Sequence, residues 1–240
     1  MTLAIMWIFA ALSFAGTAAA LGFLPDTVPV HYDIAGSVDR FGSKYELLVA
    51  PAILLCVSLA LTLLSSRFEK TAAAQDGQKS GAAAKTNAKV IRAVGLFTAL
   101  FVCAVQGFLI HGAFNQAAAG TEARIPEASK MIFVLVGLLF VCVGNLMTKT
   151  RPNSVVGFRT KWSMYNDNTW KKSNRFGGIA LMVCGALIVF AALLCKDFLF
   201  AAVATISLVA IAGIATVIYA RKVYLQEARA QADESAKEAQ

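Results

Sequence analysis

The chain has 240 residues, 58% of them hydrophobic, with a mean hydropathy of +0.65 and a formal net charge of +8. A soluble domain is nearer about 45–50% apolar, so the composition is not that of a water-soluble globule. The apolar residues come in continuous runs, which argues against a membrane β-barrel, whose strands alternate over about 10 residues.

Six runs carry the apolar excess: residues 3–23, 47–65, 93–114, 131–148, 176–195 and 198–219. None has Asp, Glu, Lys or Arg at its centre. Each is roughly the 20 residues that a helix needs to cross about 30 Å of hydrocarbon. Lipid offers the backbone no hydrogen bonds, so each span must be helical. The fold class is therefore an all-α, six-span membrane bundle. It divides into an N-terminal helix pair with its connecting loop (1–65), a linker (66–92), a four-helix region (93–219) and a polar tail (220–240).

The first run ends in Ala18-Ala19-Ala20, which could pass for a signal-peptidase site. No Lys or Arg precedes it and the run is longer than a usual signal core, so it reads as a retained helix. The loop 24–46 that follows, LPDTVPVHYDIAGSVDRFGSKYE, is rich in specific chemistry. Pro25 and Pro29 fix φ and remove donors, so this stretch is extended. Val28, Val30 and Tyr32 alternate with Pro29, His31 and Asp33 as in a strand. Ala35-Gly36-Ser37 and Phe41-Gly42-Ser43 read as turns. Asp26, His31, Asp33, Asp39, Arg40, Lys44 and Glu46 are candidates for recognition, because ordered polar loops on a rigid scaffold commonly carry it. A metal site joining His31 and Asp33 to Asp26, Asp39 and His111 lacks zinc spacing, so no metal or cofactor is assigned. The competing reading pairs these carboxylates with Arg40 and Lys44 and leaves His111 at the headgroup boundary.

Residues 66–92 (TAAAQDGQKSGAAAKTNAK at the centre) have the composition of a flexible or partly helical tether. Within the spans, Gln106 and Asn145 read as interhelical hydrogen-bond partners. Gly137 and Gly144, and Gly178 and Gly185, are seven apart and allow close helix approach. No buried Asp, Glu, Lys or Arg marks an ion or proton path. Cys56, Cys103, Cys142, Cys184 and Cys195 lie in or at the end of spans without ligand spacing and read as packing residues. No hydrolase triad, HExxH or phosphate loop is present, which points to a protein that is not an enzyme.

In the loop 149–178, Phe158, Trp162 and Tyr165 fall at i, i+4 and i+7, with Arg159, Lys161, Lys171, Lys172 and Arg175 around them. That spacing fits a short helix lying on the membrane, with Trp162 and Trp170 at headgroup depth; the alternative is an ordinary aromatic belt. The turn Cys195-Lys196-Asp197 is short enough to force the last two helices into an antiparallel hairpin. With six spans, 17 of the 22 Lys and Arg fall on the side of the termini, 66–92 and 149–175. The positive-inside rule puts that side in the cytoplasm, with both termini in. The net charge is thus a topology signal plus attraction to the lipid bilayer, and direct nucleic-acid binding is not expected.

Two segments together resemble one family. The first is Leu24-Pro25-Asp26-x-Val28-Pro29-x-His31-Tyr32-x3-Gly36-x2-Asp39-Arg40-x-Gly42-Ser43-Lys44, followed by Pro51. The second is Gly157-x-Arg159-Thr160-x-Trp162, then Asn168-x-Trp170-Lys171, Arg175 and Gly177-Gly178. They resemble the N-terminal module and the second signature of the SdpI family of bacterial membrane immunity proteins. Lys161 departs from the pattern, where Pro is usual, and so does Asn174, where His is common; if that histidine serves signalling, the role is lost or altered here. The resemblance implies immunity to, or sensing of, a secreted killing peptide, and retention of a transcriptional repressor at the inner membrane. It implies toxin contact by the outer loop (Pro25, Asp26, Pro29, His31, Asp33, Gly36, Asp39, Arg40, Lys44). It implies contact with a cytoplasmic regulator by the inner loop (Gly157, Arg159, Thr160, Trp162, Trp170, Arg175). The rival reading is a small-molecule permease or exporter, which requires a polar path through the bundle.

Overall fold

The computed structural model describes residues 1–32, 38–119, 126–153, 156–194 and 198–238. Six helices among them are long and apolar enough to cross a membrane: α1 (Thr2–Ala20), α2 (Val49–Ala74), α3 (Lys79–Ala119), α4 (Pro126–Met147), α5 (Asp167–Leu194) and α6 (Phe198–Glu238). The protein is an all-α, multi-pass membrane protein. Large side chains such as Leu59, Phe190, Ile206 and Ile214 are uncovered by the protein and form its lipid-facing flank.

The two halves of the chain pack differently. In the first, α3 lies against both α1 and α2. Met6, Ala10, Leu54 and Ala99 form its core, and the Trp7 indole donates to Thr62 Oγ1 at 3.1 Å. In the second, α5 lies between α4 and α6. Gly144 and Gly178 face one another so closely that a Cβ on either would stand 2.6 Å from the other's carbonyl oxygen. Gly137 and Gly185 repeat this at 2.6 and 2.4 Å. The seven-residue glycine spacing thus brings two backbones together, as small residues do in membrane helix pairs.

Between α1 and α2 stands a two-stranded antiparallel hairpin, β1 (Thr27–Tyr32) and β2 (Val38–Ser43). α1 closes in turn bonds from the Gly22 and Phe23 amides to the Ala19 and Ala20 carbonyls, and Pro25, which cannot donate, follows in extended chain. The alternation around Val28 and Val30 is indeed a strand, but Phe41 and Gly42 lie inside β2 instead of forming a turn. Ser43 then caps a 3-10 helix, Lys44–Leu48, through a capping box with Glu46. Leu24, Val28, Leu47 and Ala113 seal the hairpin onto the end of α3.

The segment 66–92 is a helical hairpin. α2 runs to Ala74, α3 starts at Lys79, and Gly77 turns the chain between them at φ +80°. α3 therefore has 41 residues and is roughly 60 Å long, twice the hydrocarbon thickness. α6 has the same length and carries the polar tail as its last turns. The tight turn 195–197 lies outside the described residues, and α5 and α6 pack side by side. Gln106 is buried between helices as expected, whereas Asn145 is exposed on α4.

Candidate functional site

Two polar surfaces stand at opposite ends of the spans. On the hairpin, His31 Nδ1 lies 2.6 Å from Asp39 Oδ1 across the strands. Arg40 Nη2 donates to Glu46 Oε2 at 3.0 Å, and Glu46 Oε1 accepts from the Ser43 amide at 3.2 Å. Lys44 reaches back to Asp26 Oδ1 at 3.1 Å and to the Leu24 carbonyl at 3.3 Å. The acid–base pairing of this loop is therefore the one expected of a charge-paired surface. The His31–Asp39 and Arg40–Glu46 pairs are exposed, and pairs of this kind add little stability.

The predicted outer residues separate into two groups. Pro25, Asp26, His31, Asp39 and Arg40 are exposed. Pro29 is fully buried, and the Lys44 side chain is largely covered, so both of these hold the hairpin in shape. Asp33 and Gly36 lie outside the described residues. His111 bonds Asn115 at 3.0 Å, one turn along its own helix, and does not join His31. No group of three His, Cys, Asp or Glu able to hold a metal occurs among the described residues.

At the basic end the chain folds into a compact loop in place of the expected amphipathic helix. Residues 157–166 run through turns and bends, and Phe158, Trp162 and Tyr165 share no helical face. Thr160 and Ser163 exchange side-chain bonds to each other's backbone amides at 2.8 and 3.1 Å. Asn166 and Thr169 do the same at 2.9 and 2.8 Å, ahead of α5. Trp170 is covered by the protein instead of standing free as a belt aromatic: it is 1% exposed and its indole donates to the Thr150 carbonyl at 3.2 Å.

Asn174 is the pin of this loop. Its Oδ1 accepts from the Phe158 amide at 2.6 Å and its Nδ2 donates to the Trp170 carbonyl at 3.1 Å. Gly157 passes over both side chains at φ +127°. Arg159, Lys161 and Arg175 remain exposed, Thr160 and Trp162 are half-buried, and Lys161 lies 5.4 Å over the Trp162 ring.

Contacts that the sequence did not announce tie this loop to distant helices. Asn87 Oδ1 on α3 accepts from the Arg151 amide at 3.1 Å, and Lys79 pairs with Asp167 at 2.7 Å. Tyr165 donates to Gln231 at 2.6 Å and meets Tyr224 edge-on. Lys172 pairs with Glu227 at 3.2 Å. A cleft of about 750 Å³ opens between the α2–α3 turn and the loop, bordered by Phe68, Thr71, Gln78, Asn87, Arg151 and Asp167. None of these loop partners carries a local sequence signal, whereas Glu46 at the hairpin end completes Ser-x-x-Glu with Ser43.

Residues 149–220 match the model of the SdpI/YfhL protein family, and residues 8–55 match that of a domain of unknown function, DUF1648. The chain is 38% identical over 53 residues to the immunity protein SdpI of Bacillus subtilis (strain 168), a stretch covering 22% of this chain and 26% of the relative. It is 34% identical over 67 residues to an uncharacterized protein of Archaeoglobus fulgidus, covering 28% and 33%. The chain thus spans about a quarter to a third of the length of these curated relatives. No solved structure matches it. The two matched segments contain the two polar surfaces: the hairpin and its helix ends in one, the Asn174-pinned loop with α5 in the other.

Proposed function

We propose, for a chain that carries the SdpI/YfhL segment at residues 149–220 and is similar to an immunity protein, that it protects a bacterial cell from, or senses, a secreted toxic peptide. It does so at the inner membrane, without catalysis, with the hairpin outside and the pinned loop in the cytoplasm. The hairpin face of Asp26, His31, Asp39 and Arg40 meets the toxin. The loop bearing Arg159, Lys161, Trp162 and Arg175 presents to a cytoplasmic transcriptional repressor. The observation that carries this reading is α3: one helix supports the hairpin through Leu109 and Ala113 and holds the loop through Asn87. A toxin shifts such a structure only if it binds two arrangements with different affinity.

The test is survival of cells challenged with a killing peptide, with and without this chain. Protection by the chain and its loss in His31→Ala is the expected result. Equal survival removes immunity, and full protection by His31→Ala removes His31 from the contact. Repressor retention is read separately, as toxin-dependent movement of a labelled repressor to the membrane fraction.

A further inference from the structure

A separate cleft lies beneath the hairpin. A cleft of about 310 Å³ is bordered by Arg40, Glu46, Val49, Ala50, Ile53 and Gln106. Gln106 is 2% exposed, and its amide orientation is fixed. Nε2 lies 2.8 Å from the Leu47 carbonyl, which only accepts, so Nε2 is the donor; it also donates to Thr17 Oγ1 at 3.1 Å. That leaves Oε1 as a buried acceptor with no partner among the described residues. Unpaired acceptors of this kind are rare in folded proteins and call for an explanation. The rim of the same cleft carries opposite charges side by side, the Arg40 guanidinium and the Glu46 carboxylate. Its flank is Val49 and Ile53, both more than half exposed on the first turns of a membrane-spanning helix. The cleft therefore opens toward lipid, about one turn below the end of α1, where Thr17 stands.

We infer that this cleft binds an aminophospholipid headgroup, entering sideways from the bilayer. A primary ammonium supplies the donors that Gln106 Oε1 and Glu46 accept. The neighbouring phosphate matches Arg40, and the first carbons of the chains lie on Val49 and Ile53. The volume holds roughly ten water-sized groups at about 30 Å³ each, enough for a headgroup and little more. A quaternary choline headgroup has the same charges but no N–H, so it cannot satisfy Oε1.

This inference does not depend on the toxin reading, because it is read on the purified chain alone. The full chain is equilibrated with an equimolar mixture of phosphatidylethanolamine, phosphatidylcholine and phosphatidylglycerol, and retained lipids are weighed by native mass spectrometry. Ethanolamine adducts are expected to exceed choline adducts roughly five-fold, the worth of one net hydrogen bond. Gln106→Leu would also strip the Thr17 and Leu47 bonds, so Ala50→Phe, which fills the cleft, is the variant of choice. It is expected to abolish the preference while leaving the melting temperature in choline lipid unchanged. Equal retention of ethanolamine and choline lipids overturns the inference. So does a preference that survives Ala50→Phe, or dominance of the glycerol lipid, which would assign the cleft to Arg40 charge alone.

Discussion

Asn174 shows how a single side chain can be read from the sequence in one way and used by the fold in another. At the sequence level it is a departure from a pattern in which histidine is common. In the structure its amide group spans Phe158 and Trp170, using both its acceptor and its donor. Gly157 is the complement of that contact. A Cβ there would stand 2.5 Å from Asn174 Oδ1 and 2.9 Å from the Trp170 ring, on a backbone at φ +127°. Gly157→Ala is therefore expected to cost about 1–3 kcal/mol, the usual scale of a strained backbone. The measurement is a lower melting temperature in detergent together with faster proteolysis between residues 150 and 165; an unchanged melt and digest would contradict the clamp. Trp170 was legible only as an interfacial aromatic, because its burial depends on Thr150, 20 residues earlier, returning over the ring. Local spacing carries no information about that return.

Among the elements, the α4–α5 pair was the most legible. Four glycines at heptad spacing announced a close approach, and each of the four is spent on it. Gly144→Ala and Gly185→Ala must push the helices apart, at about 1–3 kcal/mol each by analogy with overpacked cores. Gly107→Ala is the control, since nothing lies within 4 Å of a Cβ there. Thermal unfolding in detergent should show losses for the first two and none for the third. The segment 66–92 was less legible, for a physical reason. Ala, Lys and Gln are strong helix formers, yet a polar stretch rich in them has the composition of a tether as well. What settles it as helix is tertiary: Arg92 pairs with Glu69 across the hairpin, and Asn87 anchors Arg151. The 157–166 loop failed in the opposite direction. Its i, i+4, i+7 aromatics mimic a helix, but paired Thr-Ser and Asn-Thr caps give the backbone better local partners.

On the scale of the whole molecule, six spans and their order could be read directly from apolar run lengths, because lipid leaves the backbone no other choice. The distribution of Lys and Arg adds a direction. Reporter fusions at residue 35 and residue 165 are expected on opposite sides of the bilayer, with 165 in the cytoplasm; both on one side would undo the arrangement. The pairing of surfaces with helices could not be read, since it rests on contacts 55 to 66 residues apart, such as Lys172 with Glu227 and Tyr165 with Gln231.

The length of α3 has a mechanical consequence. It contains no proline and is a single unbroken helix from Lys79 to Ala119, so it behaves as a stiff lever passing through the bilayer. Rocking such a rod by about 5° about one end sweeps the other through about 5 Å. At Asn87, 32 residues from Ala119, the sweep is about 4 Å, more than the 3.1 Å length of its bond to the Arg151 amide. A tilt small at the hairpin end is thus a larger displacement at the loop end.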